Sequence, residues 1–545
     1  MRRTSLLAAV VLSVSVCGWL GVGVGERVEA NGAAGAYPGR GSAEQVGRVN
    51  FPTSCAAAAR GALEKGLATL HSFQYQESEQ AFTNASEQDA RCAIAYWGKA
   101  MALYHQLWDF PDLTTLGQGR NDVEQAQKLN AGTDREREYI AAAAAFYQDD
   151  AKLIHTARVQ AYSLALKKLY QGNPKDNEAG EFYALSLIAL AQLGVDDLAN
   201  RKQAIAILNP IFAEYPNNPG AAHYLIHASD EPELASQGLA AARAYAKIAP
   251  DSSHAIHMPS HIFRRLGLWQ EVIDSNIAAV AAAARATEEH RGDASYQFHA
   301  MDFLDYAYLQ SGQEAKARQL VEEVKSVPGA SAADIVDHQD MLAARNALEL
   351  QRWKEAAALE IPIEKPDWQD ITYWTRAIGA ARMGAAEEAR QDTQKLTEII
   401  SARRARNAAQ GATVPAGEDT SQSEAEAWVA FAEGKPDEAV AKLRDAARQE
   451  ENEHEDPFAV PAREMLADLL LALKRPSDAL VEYKAVLRDY PNRFDALYGA
   501  ARAAQSMGER RAASGYYAKL VAICPRSADR PELHEAHGYV AANRD

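Results

Sequence analysis

The sequence predicts an all-α chain built as a right-handed solenoid of stacked antiparallel helix pairs. Three observations lead there. Apolar residues recur at helical spacing from Phe51 onward, in an alanine-rich background with prolines mostly between the periodic stretches. No stretch has the alternation and β-branched enrichment of a strand. A unit also repeats, since Ala479, Tyr483 and Pro491 return 34 residues later as Ala513, Tyr517 and Pro525. The small residue lets one helix approach the next, the aromatic ring fills the gap to the following unit, and the proline ends the helix. Units of this kind bury their apolar faces only by stacking, which produces a curved array with a concave binding surface.

Residues 1–30 read as a signal peptide. Arg2 and Arg3 supply the positive charge, Ser5 to Val24 is apolar, and Val28-Glu29-Ala30 offers a small-residue cleavage site. An uncleaved membrane anchor is the alternative. Lipoprotein processing at Cys17 fits poorly, because Val16 before it is large for that signal. No other stretch is apolar enough to span a bilayer, so a periplasmic or secreted protein is expected. Residues 31–50 are Gly-rich and aperiodic and read as a flexible linker. Once the leader is removed, Cys55, Cys92 and Cys524 remain. In an oxidising compartment Cys55 and Cys92 could pair and staple the first helices. Cys524 reads as a small buried residue of the last repeat.

The solenoid divides into an N-terminal part, 51–325, and a C-terminal part, 326–545, at the Pro-Gly segment KSVPGASAADI. A long connection from Trp108 to Thr133 interrupts the first part. In the second, the polar stretch 407–423 is expected to be a mobile loop. Ala-x3-aromatic…Pro at a period of 34 resembles the tetratricopeptide repeat, a helix–turn–helix unit. Weaker copies lie upstream, with Gly267, Gly312, Gly384, Gly434 and Gly508 at their turns, for roughly ten helix pairs in all.

The histidines are not spread evenly. Five of fourteen fall between His223 and His261, where the chain-wide frequency would give about one. His223 and His227 are four apart, and His254, His257 and His261 follow at spacings of three and four, so each set shares a helix face. The repeat register, set by Pro250, Val272 and Ala317, places these residues, with His299 and Asp302 of the next unit, at first-helix positions that face the groove. Packed helices lie about 8–10 Å apart, so ligands from neighbouring helices can share one ion. Neutral imidazole suits copper, zinc or iron. His223, His227, His257 and His261 are the candidate metal ligands, and three of them with an open position would match catalytic zinc. His254, His299 and Asp302 are candidates for moving protons, with Asp230, Glu178 and Glu181 as supporting carboxylates. His71, His155, His290, His338, His534 and His537 read as structural, and His454 as part of a solvated acidic turn. His105, beside Trp108, is a marginal candidate for the site.

Composition excludes several functions. A net charge of −17 argues against nucleic acid as a partner. There is no GxxxxGK(S/T) phosphate loop, no GxGxxG after a strand, no HExxH, no GxSxG elbow and no CxxC.

The segments LHSFQYQESEQAF, CAIAYWGKAM, HQLW, GAAHYLIHASD, HMPSHIFRRLGLW and HAMDFLDYAYLQ, with the C-terminal repeats, resemble a group of bacterial exported tetratricopeptide-repeat proteins. The similarity covers most of Phe51 to Pro525. GAAHYLIHA and HMPSHIF carry its specificity, since ordinary repeats of this kind lack them. The resemblance implies the solenoid, an envelope location and a shared histidine-lined groove through His223, His227, His257, His261 and His299. It implies no reaction. Two functions remain from the residues. One is a transition-metal site in the groove, with oxidative or hydrolytic chemistry on a small molecule or peptide. The other is a non-catalytic scaffold holding a peptide or protein partner in the same groove.

Overall fold

A computed structural model describes residues 45–107, 110–148, 153–289, 293–362, 369–409, 418–453, 460–525, 528 and 530–543. All regular structure among them is helical, and successive helices pack as a tetratricopeptide-repeat-like solenoid of stacked pairs. The packing follows the repeat logic. Ala479, Ala513 and Tyr517 are fully buried. Tyr483 lies flat over Gly499 of the next helix, where an added Cβ would stand 2.2 Å from the ring. Glycine is therefore required there for close approach. No described helix is long and apolar enough to cross a membrane, and the signal segment lies outside the described residues.

The array is not purely a chain of neighbours. Its C-terminal repeats return to touch its middle. The Trp269 indole donates to the Asn492 carbonyl at 2.7 Å, and Asn492 Nδ2 donates to the Gly267 carbonyl at 3.2 Å. Gly267 has φ +64°, and a Cβ there would meet the Pro491 carbonyl oxygen at 2.1 Å. Arg493 is fully buried at this junction. It donates to Glu464 at 2.7 Å, Glu349 at 2.8 Å and the Tyr306 hydroxyl at 2.8 Å.

Several expected boundaries shift. The apolar core does not change over at 325. One cluster runs on through Leu342 and Leu350, and the next begins at Leu348, because helix Ala332–Glu349 packs on both sides of the Pro-Gly turn. The long connection after Trp108 contains the helix Leu113–Leu129, capped by Asp112. Its buried Leu116, Val123 and Ala126 are spaced for a helix but diluted by glycine and glutamine. Of the expected linker, residues 45–50 are anchored rather than free. Val46 is buried, and Arg48 N–H donates to the Asn217 carbonyl at 3.0 Å. Of the expected loop 407–423, residues 407–409 end one helix and 418–423 begin another, while 410–417 lie outside the described residues.

Cys55 and Cys92 form a disulfide across 37 residues. Breaking it with Cys92→Ser is expected to cost about 3–4 kcal/mol, from the freed entropy of the unfolded loop. Chemical denaturation with and without reductant reads that difference, and equal midpoints would reject it. Cys524 is half-buried rather than fully buried, and burial pushes its thiol up to about 12.

Candidate metal centre

Two helices and one broken helix supply the histidines. Asn218 accepts from Gly220 N–H at 2.7 Å and starts the helix Pro219–Ser229, with proline at its first turn. That helix carries His223 and His227. Ser252 caps the short helix Ser253–His257, which holds His254 and His257. The chain then breaks at Met258, because Pro259 has no N–H to continue the ladder, and restarts as Pro259–Arg265 with His261. Asp293 caps the helix Ala294–Gln310, which carries His299.

Six rings come together as two triads. In the first, His223, His227 and His254 bring one nitrogen each within 4.8 Å of one another, and His257, His261 and His299 do the same in the second. The triads adjoin, with ring centres 6.2 Å apart between His227 and His261 and 6.4 Å between His254 and His257. Each triad packs on one phenylalanine. Phe73 lies 4.4, 5.6 and 5.7 Å from the rings of His223, His227 and His254. Phe303 lies 4.8, 4.7 and 5.2 Å from those of His257, His261 and His299. His223, His254 and His257 are buried, while His227, His261 and His299 keep partial exposure.

The outer hydrogen bonds fix the tautomers. The His71 carbonyl oxygen, 2.6 Å from His223 Nδ1, can only accept, so that nitrogen carries the hydrogen. Asn276 Nδ2 donates to the Val272 carbonyl at 2.8 Å, which leaves its Oδ1 to accept from His257 Nδ1 at 2.7 Å. Asp230 accepts from His261 Nδ1 at 2.8 Å. Burial works to raise the Asp230 carboxyl, but the Arg265 guanidinium at 2.8 Å and His261 hold it well below the usual carboxylate range. Two Nε2 lone pairs, those of His223 and His257, are thereby turned inward, since burial disfavours a second proton on either ring. His257 Nε2 faces His261 Nε2 at 3.1 Å, and His223 Nε2 faces Nε2 of both His227 and His254 at 3.0 Å. Nitrogens at that separation share either a hydrogen or a cation. One lone pair cannot serve two donors well. Ligand nitrogens about 2.0–2.1 Å from a shared ion stand roughly 2.9–3.4 Å apart.

Protons are disfavoured in that role on five of the six rings. Burial lowers His223 to about 3 and His299 to about 4. It also drives His227, His254 and His257 well below their ordinary value, helped by the neighbouring imidazoles.

His254 and His299 thus stand in the triads beside the four expected ligands. Asp302 does not join them. It is ion-paired with Arg345, whose charge outweighs burial and lowers its carboxyl. Asp230 does support a ring, as its position suggested, whereas Glu178 and Glu181 gather around His71 instead. His71 is therefore more than a lone core residue. His105 stacks on Tyr75 at 4.0 Å, outside both triads. His155 sits among Phe110, Tyr104 and Phe146, and His338 stacks on Phe298 at 4.0 Å, both outside the triads. His290, His454 and Trp108 lie outside the described residues. Sequence reasoning missed Phe73, Phe303 and Asn276. Phe303 follows His299 by four on one helix face, a spacing that could have found it, whereas only the packing brings Phe73 and Asn276 to the rings.

No protein-family profile matches the sequence, and no curated protein does. Among solved structures, the P58(IPK) TPR domain is 14% identical over 83% of this chain and 99% of that one, with a TM-score of 0.22. A human IFIT1 dimer with PPP-AAAA is 12% identical over 84% and 89%, with a TM-score of 0.35. Likenesses at this level carry no argument about function, and the solenoid described here rests on its own helix pairs and their packing.

Proposed function

We propose that this protein binds two transition-metal ions, one in each histidine triad, at the centre of a tetratricopeptide-like solenoid. One observation carries the reading. Six imidazoles gather as two sets of three, and the single Nε2 lone pair of His223 faces the Nε2 of both His227 and His254 at 3.0 Å, a spacing that nitrogens bound to one ion adopt. The donors are imidazoles, which suit copper, zinc or iron and not magnesium or calcium. The rings His223, His257 and His261 each donate outward from Nδ1, the arrangement that orients metal-bound histidine. Three protein ligands leave a further coordination position for solvent or substrate, so oxidative or hydrolytic catalysis is within reach of the site.

The architecture itself suits a binding module. The scaffold reading, a peptide lying along a histidine-lined trough, gains less support, because the nitrogens converge on two points. An exported location is part of the proposal. It rests on the N-terminal charge and apolar run and on the Cys55–Cys92 disulfide, which an oxidising compartment permits.

The test is elemental analysis of protein purified without a histidine tag, before and after reconstitution with copper, zinc or iron. The triads are expected to hold about two equivalents between them. Less than about a tenth of an equivalent of any transition metal, with no gain on reconstitution, rejects the proposal.

A further inference from the structure

We propose that His71, Glu178 and Glu181 form a third cation site, separate from the triads and suited to a divalent first-row ion such as zinc. His71 ends the helix Arg60–His71. Glu178 and Glu181 sit three apart on the helix Asn177–Gln192 and so share a face. All three are buried, at 0%, 2% and 0% exposure, and their ligand atoms lie within 4.8 Å of one another. His71 Nε2 is 2.7 Å from Glu178 Oε2 and 3.5 Å from Glu181 Oε2.

Two features point to a ligand rather than to a satisfied core cluster. First, neither carboxylate oxygen of Glu181 has a hydrogen-bond partner among the described residues, although the side chain is wholly buried. A hydrogen on His71 Nε2 is committed to the nearer Glu178. An orphaned buried carboxylate is costly, and native structures seldom keep one without a reason. Burial and the charge of Glu178 both raise the Glu181 carboxyl well above its ordinary range. A divalent ion would balance both carboxylates at once. Second, the facing helix leaves room. A Cβ on Gly220 would stand 2.3 Å from Glu181 Oε2 and 2.6 Å from His71 Nδ1, so glycine there makes the space the cluster occupies.

Support and access are both present. The Tyr224 hydroxyl lies 2.8 Å from His71 Nδ1 and can accept its hydrogen, which would turn Nε2 into a ligand. Glu178 also lines an open cavity of about 700 Å³, bordered by Asn218, Asp176 and Arg135, which gives an ion a way in. One histidine with two carboxylates is a harder donor set than three imidazoles, so this site and the triads would differ in preference.

The experiment uses the full chain carrying His227→Ala and His261→Ala, which disables both triads, with zinc alone as the probe. This background is expected to keep about one equivalent of zinc, and adding Glu181→Gln is expected to lower it below about a tenth. Zinc binding that Glu181→Gln leaves unchanged, or no zinc in the background at all, overturns the proposal. If wild type and background bind the same single equivalent, the triads have failed and this site has not. Circular dichroism checks that each variant folds. Should Glu181→Gln unfold the chain, an anomalous-scattering map of wild-type crystals at the zinc edge decides. A peak about 2.0–2.2 Å from His71 Nε2 and from an oxygen of each glutamate supports the site, and empty density there overturns it.

Discussion

Alanine at His257 is expected to remove one of two bound metal equivalents and to leave the other in place. The triads share no ligand, so His223, His227 and His254 remain complete. Losing one of three imidazoles should weaken the damaged triad by more than about a hundredfold, since even loss of an outer hydrogen-bond partner commonly costs about 10–100-fold. Asp230→Asn should fall in that smaller range. It keeps an acceptor near His261 Nδ1 but loses the charge that orients the ring and strengthens its nitrogen. His223→Ala is the mirror experiment, emptying the first triad only. Titration with a competing chelator reads each affinity, and loss of both equivalents from either single variant would show one shared site instead of two. pH offers a second readout on metal-stripped protein. His223 and His299 are held at about 3 and about 4 when folded, against an unfolded value near 6.5. Above about 6.5 both states are neutral there and stability does not change. Below it the unfolded chain binds protons that the folded one refuses, so stability falls as pH drops toward about 4. Added metal should oppose that loss at the upper end of the window, and a flat profile between pH 6.5 and 4 would contradict it.

Arg493→Ala is expected to destabilise the whole chain by about 3–5 kcal/mol, the cost of breaking a buried ion pair from one side. Arg493 is fully buried, and its guanidinium satisfies Glu349, Glu464 and the Tyr306 hydroxyl together. Its removal would strand two carboxylates in the interior. Tyr306 sits on the helix that carries His299, so the network ties the C-terminal repeats to the second triad. Urea denaturation should show an earlier midpoint, and the second triad should lose metal before the first. A change below about 1 kcal/mol would mean that the C-terminal return contributes little, as in a solenoid held by neighbours alone.

The helical class and the repeat were readable because both rest on local periodicity. Ala479, Tyr483, Ala513 and Tyr517 mark the packing whatever lies elsewhere in the chain. The histidine faces were readable for the same reason, since spacings of three and four fix which side of a helix a ring leaves. What remained hidden depends on distance through space. Linear order could not say that the six rings divide three and three, that His254 pairs with His223 rather than with His257, or that Asn276 and Asp230 set the tautomers. Asp302 looked equally suited to the site until Arg345, 43 residues later, took its charge. His71 looked ordinary until Glu178 and Glu181 met it from another helix.

By itself, then, the sequence determined the solenoid and the faces on which its imidazoles stand, because an α-helix converts residue spacing directly into direction. Only the tertiary structure decided which nitrogens meet, which carry hydrogen and which carboxylates are already neutralised. Those outcomes follow from how helices far apart in sequence are brought within hydrogen-bonding range, and no local pattern encodes that.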